Sequence, residues 1–153
     1  IYADKVLKSS ELDAKVKADA QIIIARSAFK TQDFDKARSS YKLVESVASG
    51  ELKAEALFYD AYFKNQDGDY KNSNVVVQKI AADYAAYKYW GAKGLVVMAQ
   101  NFYGLKDAYQ ATYILESVIK NFTQFEDVVA EAQAELKKIK AEQAKTNDSV
   151  IED

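Results

Sequence analysis

The sequence predicts an all-α fold, a right-handed α-solenoid of antiparallel helix pairs, and three observations predict it. The chain contains no Pro and only 5 Gly, too few turn formers for a β-rich or mixed domain and well suited to long helices joined by short turns. A turn-then-alanine phrase recurs at Asp33-Phe34-Asp35-Lys36-Ala37, Asp69-Tyr70-Lys71-Asn72-Ser73 and Asp107-Ala108-Tyr109-Gln110-Ala111, so that its small residues lie 36 and 38 positions apart. A period of that size marks stacked helical repeats. Ala25, Ala61 and Ala99 each stand 12 positions before Ala37, Ser73 and Ala111. Antiparallel helices approach closely only where side chains are small, so this constant offset predicts the contact point of three helix pairs.

The elements follow from hydrophobic periodicity. Residues Ala14 to Lys30 carry Val16, Ala20, Ile23, Ile24 and Ala28 at helical spacing, and Thr31-Gln32-Asp33 breaks the pattern. Phe34 to Val47 is a second amphipathic helix, ended by Ser49-Gly50, where Gly50 can take the left-handed conformation that closes a helix. Leu52, Ala56, Leu57, Tyr59 and Phe63 mark a third helix over Glu51 to Asn65, followed by Asp67-Gly68-Asp69 with Gly68 as C-cap and Asp69 as N-cap. Tyr70 to Asp83 is predicted helical despite Val75-Val76-Val77, a run that locally favours a strand. Ala85 to Lys88 is a bridge, Tyr89 to Tyr103 the fifth helix, Gly104 to Asp107 its turn and Ala108 to Asn121 the sixth. A last helix from Phe125 to Lys145 bears Val128, Val129, Ala132, Leu136 and Ile139 on one face and Glu, Lys and Gln elsewhere, as a water-facing cap should. Thr146 to Asp153 reads as a frayed tail and Ile1 to Ser10 as the end of a preceding helix. The whole is one domain over residues 1–153, with repeats at about 14–49, 51–86 and 88–124 and a capping helix at about 125–145.

Composition narrows the function. With 21 Lys+Arg against 23 Asp+Glu the formal charge is -2, and no basic block stands out, so nucleic acid is not the expected partner. The absence of Cys and His removes thiolate and imidazole chemistry, including the usual metal ligands and general base. No acid stands isolated among apolar residues, so enzymatic activity, cofactors and metal are not expected. No apolar run approaches the roughly 20 residues of a membrane span. The chain opens Ile1-Tyr2-Ala3-Asp4, without an initiator Met or signal-peptide pattern, and reads as part of a longer protein.

The repeated phrases resemble the tetratricopeptide repeat (TPR) family. Its pattern of small and ring residues matches Ala25, Ala28, Phe34, Ala37, Tyr41 and Val44 in the first repeat. The second supplies Ala61, Lys64, Tyr70, Ser73, Val77 and Ile80, and the third Ala99, Phe102, Ala108, Ala111, Leu115 and Val118. Lys64 departs from the expected ring, and the family's usual Trp and Pro are missing, which makes this a divergent match over about residues 14–124. Tyr87-Lys88-Tyr89-Trp90-Gly91-Ala92-Lys93-Gly94, with the Tyr-rich helices around it, is also similar to the C-terminal part of long repeat proteins of Bacteroidota, which implies a cell-envelope or periplasmic location.

The resemblance implies a concave groove lined by the first helix of each pair. Carried onto this chain, its groove-facing positions are Asp19, Ile22, Arg26, Phe29 and Lys30, then Glu55, Phe58, Tyr62, Asn65 and Gln66, then Lys93, Val96, Gln100, Tyr103 and Gly104, and the expected binding residues among them are Ile22, Arg26, Phe29, Lys30, Phe58, Tyr62, Asn65, Lys93, Gln100 and Tyr103. Aromatics beside Arg and Lys are the residues interface hot spots favour, and the expected ligand is a peptide or protein segment. The flanking repeats of a parent protein are the other expected partner. The competing reading is a structural spacer, whose rings pack against its own neighbours. The carboxylate clamp of some family members needs Lys and Asn where Ile22 and Arg26 stand, so that ligand is not expected.

Overall fold

The computed structural model describes the backbone of residues 2–151 and the side chains of residues 8–150. Seven helices occupy almost all of it: α1 (Tyr2–Lys30), α2 (Phe34–Val47), α3 (Gly50–Gln66), α4 (Tyr70–Asp83), α5 (Lys88–Gly104), α6 (Ala108–Asn121) and α7 (Glu126–Ile151). No strand occurs among the described residues. Each helix packs on the next in the chain, and α3 also meets α5 and α5 meets α7. No described helix is long and apolar enough to cross a membrane.

The turns repeat as faithfully as the helices. Gln32, Gly68 and Lys106 all take positive φ, at 62°, 78° and 68°. The N–H groups of the following Asp33, Asp69 and Asp107 reach back to the carbonyls of Ala28, Lys64 and Phe102 at 2.9, 2.9 and 2.8 Å. These bonds satisfy carbonyls that a helix end leaves free. Only Gly68 suits the left-handed conformation sterically; at Gln32 and Lys106 the turn holds a side chain there. Asp33 and Asp107 then cap the next helix, accepting from the N–H of Lys36 at 3.3 Å and of Gln110 at 3.0 Å. Asp69 occupies the same place, but its carboxylate accepts from the Asn72 amide at 3.0 Å instead.

The small residues of the repeat lie at the centre of the packing. Ala25, Ala37, Ala61, Ser73, Ala99 and Ala111 are all fully buried. Tyr41, Val44, Val77, Ile80, Leu115 and Val118, the large residues four and seven positions later, are 0–3% exposed. Val75-Val76-Val77 is helical within α4, where burial of Val77 outweighs the local preference for a strand. At the α3, α4 and α5 junction the hydroxyl of Ser73 donates to the Ala61 carbonyl at 2.7 Å. The buried Asn101 amide donates to Ser73 Oγ at 2.7 Å and Asn74 Oδ1 at 2.8 Å, and accepts from Asn65 Nδ2 at 2.8 Å. With its partners in place this polar network is affordable in the core and fixes the three helices in register.

Three expectations are corrected. Residues from Tyr2 onward belong to α1 itself and not to a separate preceding helix, because nothing between Ser10 and Ala14 breaks a helix; Ile1 lies outside the described residues. Residues 146–151 continue α7 instead of fraying, while residues 152 and 153 lie outside the described residues. On α1 the face buried against the fold is Ala18, Ile22, Ala25 and Ala28, and the expected stripe of Val16, Ile23 and Ile24 is exposed. Two apolar faces compete on that helix, and the one with the smaller side chains fits against α2.

Candidate groove between the first helices

The candidate site is built around one carboxylate. Glu55 on α3 is 3% exposed, a costly place for a charge unless it is paired and hydrogen-bonded. Arg26 on α1 meets it with two bonds, Nε to Oε2 at 3.0 Å and Nη2 to Oε1 at 2.6 Å. The Tyr41 hydroxyl on α2 donates to Oε2 at 3.2 Å. Three helices therefore converge on Glu55. The hydrogen bond to Glu55 raises the Arg26 pKa further, so the guanidinium stays charged. Burial pushes the Tyr41 hydroxyl well above the ordinary tyrosine range and raises that of Tyr59, so both stay neutral.

Rings form the surround. Tyr59 stacks on Tyr41 with centroids 4.1 Å apart and meets Phe29 edge-on at 4.9 Å. Phe29 also meets Phe34 at 5.6 Å and Tyr62 at 5.5 Å. From α5, Trp90 approaches Phe58 at 5.6 Å and Tyr59 at 6.3 Å. Between these elements opens a groove of about 690 Å³, with Arg26, Lys30 and Glu55 as its charged groups and Phe29, Phe34, Tyr59, Tyr89 and Trp90 among its walls. Trp90 Nε1 is buried and has no hydrogen-bond partner, the one such side-chain atom among the described residues. Tyr89 donates to Asp127 Oδ2 at 2.7 Å. That bond holds the Asp127 carboxyl below its usual range, while burial, helped by the same bond, raises Tyr89.

Of the ten expected binding residues, the structure brings Arg26, Phe29 and Lys30 into this groove. Ile22 and Phe58 are corrections: each is 4% exposed and part of the core, because both point into the packing between helices. Tyr62 lines a separate, smaller depression with Arg38 and Asp67. Asn65 is engaged with Asn101. The Lys93 ammonium lies 5.0 Å from the Phe58 ring centroid, 5.8 Å from Tyr89 and 5.9 Å from Trp90, a cation–π position at the groove's α5 side. Gln100 is half-buried, and the Tyr103 hydroxyl is bonded to Glu142 of α7. Tyr41 and Tyr59 are the site members that sequence reasoning left out; Glu55 stood at a groove-facing position but not among the expected binding residues. Glu55, buried between Ala54 and Ala56 on α3, corrects the expectation that no acid stands isolated among apolar residues.

Compared with protein-family models, with curated proteins and with solved structures, the chain shows no significant match to any of them.

Proposed function

We propose that the chain is a protein-interaction scaffold of the tetratricopeptide kind, a right-handed stack of three helix pairs capped by α7, which holds a peptide segment in the groove beside Arg26. The observation that carries this reading is the groove itself. Its walls are rings and its charged groups are prearranged, with Arg26 fixed by Glu55 and Lys30 left exposed. Rigid rings present large contact area at little entropic cost. A peptide offers what the remaining groups lack: carbonyl or carboxylate oxygens for Arg26 and Lys30, and apolar side chains for Phe29 and Phe34. Two cations against one carboxylate favour an acidic or neutral segment over a basic one.

The chain holds a single Trp, and it lines the groove, so binding there has a built-in reporter. Peptides selected by phage display against the protein are expected to shift Trp90 emission saturably. Their affinity should fall about tenfold or more in Lys30→Glu/Phe34→Ala, which changes exposed groups only. Selected peptides that leave Trp90 emission unchanged and bind the variant equally well would place recognition elsewhere. A selection that yields no binder would favour the spacer reading, which the dense ring contacts of Phe29, Tyr59 and Tyr62 also accommodate.

A further inference from the structure

Helix α1 is apolar on two opposite sides, and only one is covered. Ala18, Ile22 and Ala25 are buried, whereas Leu12, Val16 and Ile23 are 62, 59 and 67% exposed. The repeat register shows what a surface of this kind receives. Val16, Ala20 and Ile23 correspond, 36 positions on, to Leu52, Ala56 and Tyr59 of α3, and 38 further on to Trp90, Gly94 and Val97 of α5. On α3 that surface lies under α2: Leu52, Ala56 and Tyr59 share a core cluster with Tyr41 and Val44, and Tyr59 stacks on Tyr41. On α5 it lies under α4, where a Cβ on Gly94 would sit 3.3 Å from Val77 and 3.9 Å from Ile80. In both cases a small residue forms a notch, and the covering helix brings two large apolar residues three positions apart: Tyr41 with Val44, and Val77 with Ile80. The other end of the chain is built differently, since α7 exposes Lys137, Lys138 and Lys140.

We propose that the Leu12–Val16–Ala20–Ile23 face of α1 docks an amphipathic helix that the described residues do not supply, one carrying large apolar residues at i and i+3 in the manner of α2 and α4. Among the described residues a second copy offers no free helix of that pattern, because Tyr41, Val44, Val77, Ile80, Leu115 and Val118 are all buried within the fold. The inference is independent of the groove beside Arg26, which Leu12, Val16, Ala20 and Ile23 do not line.

The test uses a lactam-stapled, fluorescein-labelled peptide copying residues 33–48, titrated with the full chain by fluorescence anisotropy. Saturable binding is expected, weakened at least tenfold by Ile23→Glu and unchanged by Tyr113→Glu, which alters an exposed ring on α6. Both side chains are exposed, so both variants should keep the helical circular dichroism of the parent. Absence of saturable binding, or equal binding by Ile23→Glu, would overturn the proposal. So would a dimer in sedimentation equilibrium that Ile23→Glu converts to monomer, which would give the face to a second copy.

Discussion

Glu55 ties three helices together through one carboxylate, and its energetics follow from what is left when a partner is taken away. Arg26 is half-exposed and can be rehydrated, but Glu55 cannot, because its side chain is 4% exposed. Arg26→Ala would strand a buried carboxylate with the Tyr41 hydroxyl as its remaining side-chain partner. Breaking a fully buried pair costs roughly 3–5 kcal/mol, and water reaching the Arg26 side reduces that to about 2 kcal/mol here. Glu55→Gln should cost less, since a neutral amide is cheaper to bury and can still accept from Tyr41. Urea unfolding followed by circular dichroism would check the order of the two variants; equal costs, or a loss under about 0.5 kcal/mol for Arg26→Ala, would mean the pair behaves as an ordinary surface bridge. Arg26 was legible in the sequence as a groove residue through the repeat register. Glu55 fell on a groove-facing position of the same register, but its pairing with Arg26 was not legible, because the contact spans 29 positions and no local pattern encodes it.

Between the helices, the repeat rests on small residues where elements meet. Ala111 is fully buried among Ala99, Leu115 and Val118 on α5 and α6. Enlarging it to Leu would force those neighbours off their rotamers, and Ala111→Leu should cost about 1–3 kcal/mol; unchanged thermal unfolding would show that the α5–α6 contact point lies elsewhere. This level of structure was the most legible in the sequence, because a 12-position offset between small residues is set by the geometry of a helix pair and survives divergence. The turns were only partly legible. Gly68 announces a left-handed residue, whereas Gln32 and Lys106 adopt the same conformation without any matching preference, held by the Asp33 and Asp107 backbone bonds. The orientation of α1 was misread for a related reason. Val16, Ile23 and Ile24 are its larger apolar residues, and periodicity weighs size, but α2 packs against the face where Ala18 and Ala25 permit close approach.

Across the whole molecule, stability should fall from the middle toward both ends. Helices α3 and α5 are buried on opposite sides at once: Ala54, Ala56, Leu57, Phe58 and Ala61 on α3 are nearly inaccessible, as are Ala92, Val96, Val97 and Ala99 on α5. By contrast residues 8–13 of α1 and 141–150 of α7 are exposed throughout. Apart from the Tyr103 bond to Glu142, these segments are exposed, and short helix without packing is marginal in water. This also explains why the sequence did not mark residues 11–13 and 146–150 as helix: what keeps them helical is the lack of a breaker and continuity with a packed segment, neither of which leaves an amphipathic pattern. Because each helix packs mainly on its neighbours in the chain, opening is expected to begin at the ends and to require the most energy in the centre. Native-state hydrogen exchange should therefore show amides of residues 8–13 and 141–150 exchanging fastest. Amides in Ala54–Ala61 and Ala92–Ala99 should open only with global unfolding, with the same denaturant dependence as the circular dichroism transition. Uniform protection from α1 to α7 would instead mean that the seven helices unfold as one cooperative unit, and that contacts beyond those between neighbouring helices bind the ends to the centre.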